Sequence, residues 1–165
     1  FSLEVGVAKT VLQRRIRITV EIPLLPEHAL NPNFHGHWAR RAKATKILKK
    51  AAYFSALAAN PDRISFNKAT VDITFIVKDR RYMRDPDNAL ASIKPALDGC
   101  VLAGIIPDDS ADHLYYRMPI MWELNKEKAP LTILEFTEIV SMKREERMVV
   151  NEAPVVRECQ KEQTE

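Results

Sequence analysis

From Arg15 to Ile22 apolar and polar residues alternate, with Ile16, Ile18, Val20 and Ile22 on one side and Arg15, Arg17, Thr19 and Glu21 on the other. That period of two predicts a half-buried strand, ended by Pro23 and Pro26. Leu30 to Gly36, with its Asn, Pro and Gly, reads as a turn. Trp38 to Ala59 is rich in Ala, Lys and Leu and predicts a helix, stopped by Asn60-Pro61-Asp62. Val71, Ile73, Phe75 and Val77 repeat the strand period and run into a charged turn, Lys78 to Arg84. A second helix is predicted from Asn88 to Ala103, closed by Gly104 as a C-terminal cap. Pro95 implies a kink in it, or a regular helix that begins only near Ser92. After a loop from Ile105 to Asp112, strands are expected over His113–Trp122 and Leu131–Thr137, joined through Asn125–Lys128 as a hairpin turn. The order β-α-β-α-β-β predicts an α+β fold of two layers, a four-stranded mixed sheet packed against two main helices.

The 165 residues suit one domain, which the pattern puts at 14–141. Residues 1–13 read as an N-terminal extension, and 142–165 as a charged tail with little to bury, expected to be flexible. No apolar run is long enough to span a membrane, and the Phe1–Gln13 stretch, broken by Glu4 and Lys9, is a poor signal peptide. Cys100 and Cys159 make neither a disulfide framework nor a zinc site, so a reducing cytoplasm is the expected setting.

Net charge is only +3, but it is unevenly spread. No acid occurs from His28 to Pro61, whereas Arg40, Arg41, Lys43, Lys46, Lys49 and Lys50 do. A one-signed segment in a nearly balanced chain is either a solvated face or a phosphate-contacting surface. On a helical wheel Lys43, Lys46 and Lys50 share one face, with Arg40 at its margin. Lys78, Arg80, Arg81 and Arg84 crowd the later turn around Tyr82, an aromatic residue suited to stacking on an exposed base. His35 and His37 lack a third nitrogen or sulfur partner, and helix initiation with packing by Trp38 is the expectation there. His113 is expected to be structural.

The candidate chemistry lies in Arg84-Asp85-Pro86-Asp87-Asn88 and in Pro107-Asp108-Asp109-Ser110. In an extended segment Asp85 and Asp87 point the same way. Two carboxylates so placed repel unless a cation lies between them, and a hard divalent ion prefers such oxygen ligands. The plainer readings are that Asp87 caps the following helix and that Asp85-Pro86 makes a turn. Leu90, Ile93, Leu97 and Val101 form an apolar stripe with Lys94 at its edge. Lys94 then either pairs with Asp98 one turn on or faces a carboxylate cluster, where it stabilises charge on a phosphate. Asn88 either orients one of the aspartates or starts the helix.

The run from Arg84 to Gly99, with Ala103-Gly104-Ile105-Ile106-Pro107-Asp108-Asp109-Ser110 downstream, resembles the RusA-type Holliday-junction resolvases, phage and prophage members above all. Leu30-Asn31-Pro32-Asn33, His37-Trp38 and the basic helix are similar to that family's N-terminal signature, so the resemblance covers Arg15 to Thr137. It implies a homodimeric, magnesium-dependent endonuclease (manganese substituting) that cuts four-way DNA by paired symmetric hydrolysis, leaving 5′-phosphates and 3′-hydroxyls, in a bacterial or phage-infected cell. Asp85, Asp87 and Asp109 would be metal ligands with Asp108 auxiliary, and Lys94 the catalytic lysine. Arg40, Lys43, Lys46, Lys50, Arg80, Arg81 and Arg84 would meet DNA. Asp98 to Asp109 keeps the family spacing, whereas Asp87 to Lys94 is longer by a helical turn than in short bacterial members. The alternatives are a flap-preferring nuclease and a dimeric DNA-binding protein that does not cut.

Overall fold

A computed structural model describes residues 15–140; the predicted N-terminal extension and charged tail lie outside them. The elements are β1 (Arg17–Ile22), α1 (Trp38–Ala59), β2 (Ala69–Val77), α2 (Pro86–Leu102), β3 (Leu114–Leu124) and β4 (Leu131–Glu138). Single 3-10 turns at His28–Leu30 and Arg80–Tyr82 lead into the helices.

The sheet runs β1-β4-β2-β3. β4 is antiparallel to both β1 and β2, and β3 is parallel to β2. The mixed sheet is as the alternation predicts, but the hairpin is not. Asn125 does shape a turn, its Oδ1 accepting the N–H groups of Glu127 and Lys128 at 3.1 Å. The chain then passes the end of β2, where the Asn125 N–H bonds the Val77 carbonyl, and β4 enters between β1 and β2. β3 is left at the edge. Turn chemistry is local, whereas strand partnership is decided by which apolar rows meet.

Those rows are Ile18, Val20 and Ile22 of β1, Leu134 and Phe136 of β4, and Val71, Ile73 and Phe75 of β2. They form one core with Ala44, Leu48, Ala52 and Ala56 of α1 and Ile93, Leu97 and Cys100 of α2. α1 buries only every fourth residue, and all but Leu48 of these are alanines. Small residues let the helices approach closely: a Cβ on Gly99 would lie 2.5 Å from the Lys49 carbonyl oxygen and 2.9 Å from the Ala52 Cβ. α2 is therefore covered on two sides, which is why its buried set extends beyond the predicted stripe to Ala89, Ser92 and Ala96.

α1 starts where His37 is extended and its Nδ1 accepts the Ala39 N–H at 3.2 Å, satisfying one of the free donors of a helix start. Trp38 does not pack; it is 74% exposed. Asn60 closes the helix with its side chain bonded both ways to the Ile64 backbone, at 2.7 and 2.9 Å. α2 begins earlier than predicted because Pro86 occupies the first turn, where its fixed φ is favourable. It runs unbroken through Pro95 and ends at Gly104, whose φ of +83° is the left-handed cap expected of it.

Candidate functional site

The early start of α2 changes the geometry of the aspartate pair. Asp85 is the extended residue before the helix and Asp87 lies in its first turn, so the two are not alternate residues of an extended segment. Asp85 makes no side-chain capping bond, and neither carboxylate enters an ion pair within the described residues. Both face solvent. The capping role open to Asp87 is not taken, since the residue at the cap is Asp85. Asn88 is in the first turn, and its backbone carbonyl accepts the Ser92 hydroxyl at 2.7 Å.

Asp87, Ala91, Lys94, Asp98 and Leu102 follow one another at steps of three or four along α2, and none is buried. This is its solvent stripe. Lys94 is contacted from two directions: Asp98, one turn on, is 3.2 Å away, and Asp109, from the loop after α2, accepts a hydrogen bond from the same ammonium. The plain pairing and the carboxylate-facing arrangement thus coexist. The Asp109 side chain is 14% exposed and Lys94 54%, so the cluster sits at the surface with Asp109 recessed. Asp108 beside it is exposed.

A residue that sequence reasoning passed over belongs here. Tyr116 shares its sheet row with Val71, which places it on the helix-covered face. Burial, and then the charge of Asp98, push its phenol above the ordinary tyrosine range. Its parity with Leu114 and Trp122 along β3 was the available signal.

The aspartates do not form a closed cage. Asp87 and Lys94 are seven residues apart, about 10 Å along the helix axis. Among the described residues, no three His, Cys, Asp or Glu side chains are grouped closely enough to hold a metal ion. What is present is an all-oxygen donor set in two parts, Asp85 with Asp87 open to solvent, and Asp98 with Asp109 engaged by Lys94. Such a set fits magnesium in its usual protein setting, where one or two carboxylates hold a hydrated ion and a substrate phosphate completes the shell.

The basic residues divide by what they touch. Arg40, Lys43, Lys46 and Lys50 are exposed along α1, with Lys50 lying 6.0 Å from the Phe54 ring centroid and Arg40 5.9 Å from that of Phe34. Arg41 is spent on the preceding loop, donating to the Ala29 and Asn31 carbonyls at 3.1 and 2.8 Å. Arg81 is paired with Asp79 at 2.9 Å; that bond raises the guanidinium pKa and lowers the carboxyl. Arg84 turns inward, donating to the Pro26 carbonyl at 2.7 Å and the Ser92 hydroxyl at 3.0 Å, and partial burial lowers its pKa. Arg80 stays exposed. His113 is a structural residue, its Nδ1 lying 2.7 Å from the Asn67 carbonyl.

No protein-family model matches the chain, and comparison with curated proteins finds no significant match.

Proposed function

We propose that the protein is a metal-dependent endonuclease acting on branched DNA, with four-way junctions as its preferred substrate and a homodimer as its working form. The observation that carries this reading is the solvent stripe of α2. It has two carboxylates at its head with no ionic partner among the described residues, and a lysine held between two further carboxylates below.

Acids left unneutralised beside a basic helix are costly for a protein that only grips phosphate, and useful to one that hydrolyses it. Asp85 and Asp87 would hold a hydrated magnesium ion at the head of the stripe, with Asp109 and the auxiliary Asp108 belonging to the lower part of the set, beside Lys94. Magnesium held by Asp85 and Asp87 would supply an activated water and charge neutralisation at the phosphodiester. Lys94 carries positive charge to the same stripe, where an ammonium stabilises the negative charge that builds on phosphate oxygens. Asp98 and Asp109 hold that ammonium in place. The exposed row of α1, Arg40, Lys43, Lys46 and Lys50, supplies phosphate contacts along the strand, with Arg80 exposed in the turn before α2. Arg81 and Arg84 contribute less, since their donors already have partners.

A second reading, a dimeric branched-DNA binder that does not cut, draws on the pairing of Lys94 with both Asp98 and Asp109. The test is cleavage of a synthetic four-way junction with magnesium, beside duplex and flap controls and an Asp87→Asn variant. Paired symmetric nicks lost in the variant support the nuclease reading. Tight binding without cutting in magnesium or manganese supports the binder, and preferred cutting of flaps keeps the chemistry while replacing the junction as substrate.

A further inference from the structure

The lower end of the α2 stripe opens into a shallow groove of about 310 Å³ against α1, lined by Lys46, Lys49, Lys50, Tyr53 and Leu102. Its floor is apolar. Tyr53 is half-buried, and Leu102 is 63% exposed at the last turn of α2. Three ammonium groups form the rim, and none of them is paired with a carboxylate among the described residues.

We infer that this groove takes an unpaired nucleotide of the DNA, its base on Tyr53 and Leu102 and its phosphates on Lys46, Lys49 and Lys50. The inference rests on the DNA reading above and specifies what part of a branched substrate is recognised. Cations alone would suit any phosphate backbone. An apolar patch set among them is matched by a ligand that is anionic at its edge and apolar on its face. A base in a duplex has its faces covered by its neighbours, whereas an unpaired base offers a face to an aromatic ring. Lysine stems line the walls and carry their charge outward. Leu102 follows Lys94 on the same stripe, about 12 Å further along the helix axis, so a strand seated in the groove leads on to the carboxylates. A flap carries unpaired nucleotides, and a four-way junction presents them where its central pairs open, which gives the surface a means of preferring an opened branch point over regular DNA.

The test measures binding of the full chain to a fluorescein-labelled thymidine decamer, an abasic decamer with the same phosphates, a matched duplex and a four-way junction, by fluorescence anisotropy without divalent metal. Removing the bases is expected to weaken binding by about tenfold or more, the scale of base–aromatic stacking. Leu102→Glu, at an exposed position, is expected to abolish the preference for the thymidine over the abasic decamer. Lys49→Gln should weaken both decamers alike. Circular dichroism melts of both variants establish that they fold. Equal binding of the two wild-type decamers, or a preference that survives Leu102→Glu, overturns the inference. So does a synthetic peptide of residues 141–165 that binds the groove and is not displaced by the thymidine decamer. If the junction is bound here and cut in the magnesium assay while the decamer preference fails, the groove reading alone falls. If no DNA form is bound, the proposed function falls with it.

Discussion

Lys94 and Asp98 stand one turn apart on α2 with 3.2 Å between ammonium and carboxylate, and Asp109 claims the same ammonium from a separate loop. A surface pair of this kind adds little to stability, about 0.3–0.5 kcal/mol for neighbours on a helix. Lys94→Met is therefore expected to shift the melting temperature by no more than a few degrees. If the ammonium stabilises charge on phosphate, cleavage falls by about a hundredfold or more. A large thermal loss with unchanged cleavage would make Lys94 a structural residue.

The two halves of the acidic set predict separable effects. Asp85→Asn removes charge from a solvent-facing carboxylate without a capping bond, so stability should hold, cutting should stop and junction binding should be kept or strengthened. Asp109→Asn disturbs a recessed side chain that touches Lys94, so it should lose both cutting and some thermal stability. A melt and a junction-cleavage assay on each variant check this contrast. Wild-type cutting by Asp85→Asn would remove the site.

Much of this arrangement was legible in the sequence, and what was missed has a physical pattern. The bounds of α1 could be read because its end is written locally, in Asn60-Pro61. The aspartate geometry was misread because spacing by two fixes direction only in extended chain, and Pro86 had already turned the chain into helix. The pairing of β4 was misread for a related reason. Asn125 sets a turn through bonds within its own loop, while β4 pairs with strands far away in sequence. The Lys94–Asp109 contact needs the loop after α2 to fold back, which periodicity cannot foretell. Tyr116 escaped notice because its neighbour Asp98 lies on another element.

Gly99 is the tightest point between the helices, where an added Cβ would meet the Lys49 carbonyl oxygen at 2.5 Å. Backbone cannot move aside as a flexible side chain can. Gly99→Ala is expected to destabilise the fold by about 1–3 kcal/mol, the range for overpacked cores, against the gain in helix propensity of about 1 kcal/mol that alanine brings. Chemical denaturation should show the net loss. A net gain would mean that the helices have room to separate.

The salt dependence of DNA binding checks the role of α1. Each phosphate contact contributes about 0.9 to the slope of log affinity against log salt for duplex DNA. Lys46→Gln with Lys50→Gln should flatten the slope on duplex arms by about 1.8 if both meet phosphates. Arg84→Gln should leave it unchanged and instead lower stability, because that side chain bridges Pro26 to Ser92. An unchanged slope in the lysine variant would take this face of α1 out of the DNA surface.

Cys100 offers a check on the core independent of function. Its thiol is buried between α2 and the rest of the core, and burial pushes its pKa from 9.0 up to about 12. A folded-state value above the unfolded one means that this contribution is intact below pH 9.0 and is lost as pH rises towards about 12. One unit above the unfolded value the accumulated loss is about 1.4 kcal/mol. In a Cys159→Ser background, denaturation curves between pH 8 and 11 should therefore fall more steeply with Cys100 present than in Cys100→Ala. The native thiol should also resist a thiol-modifying reagent at pH 8 and react once denaturant is added. Rapid modification of the folded protein would place Cys100 outside the core and contradict the packing of α2 against α1.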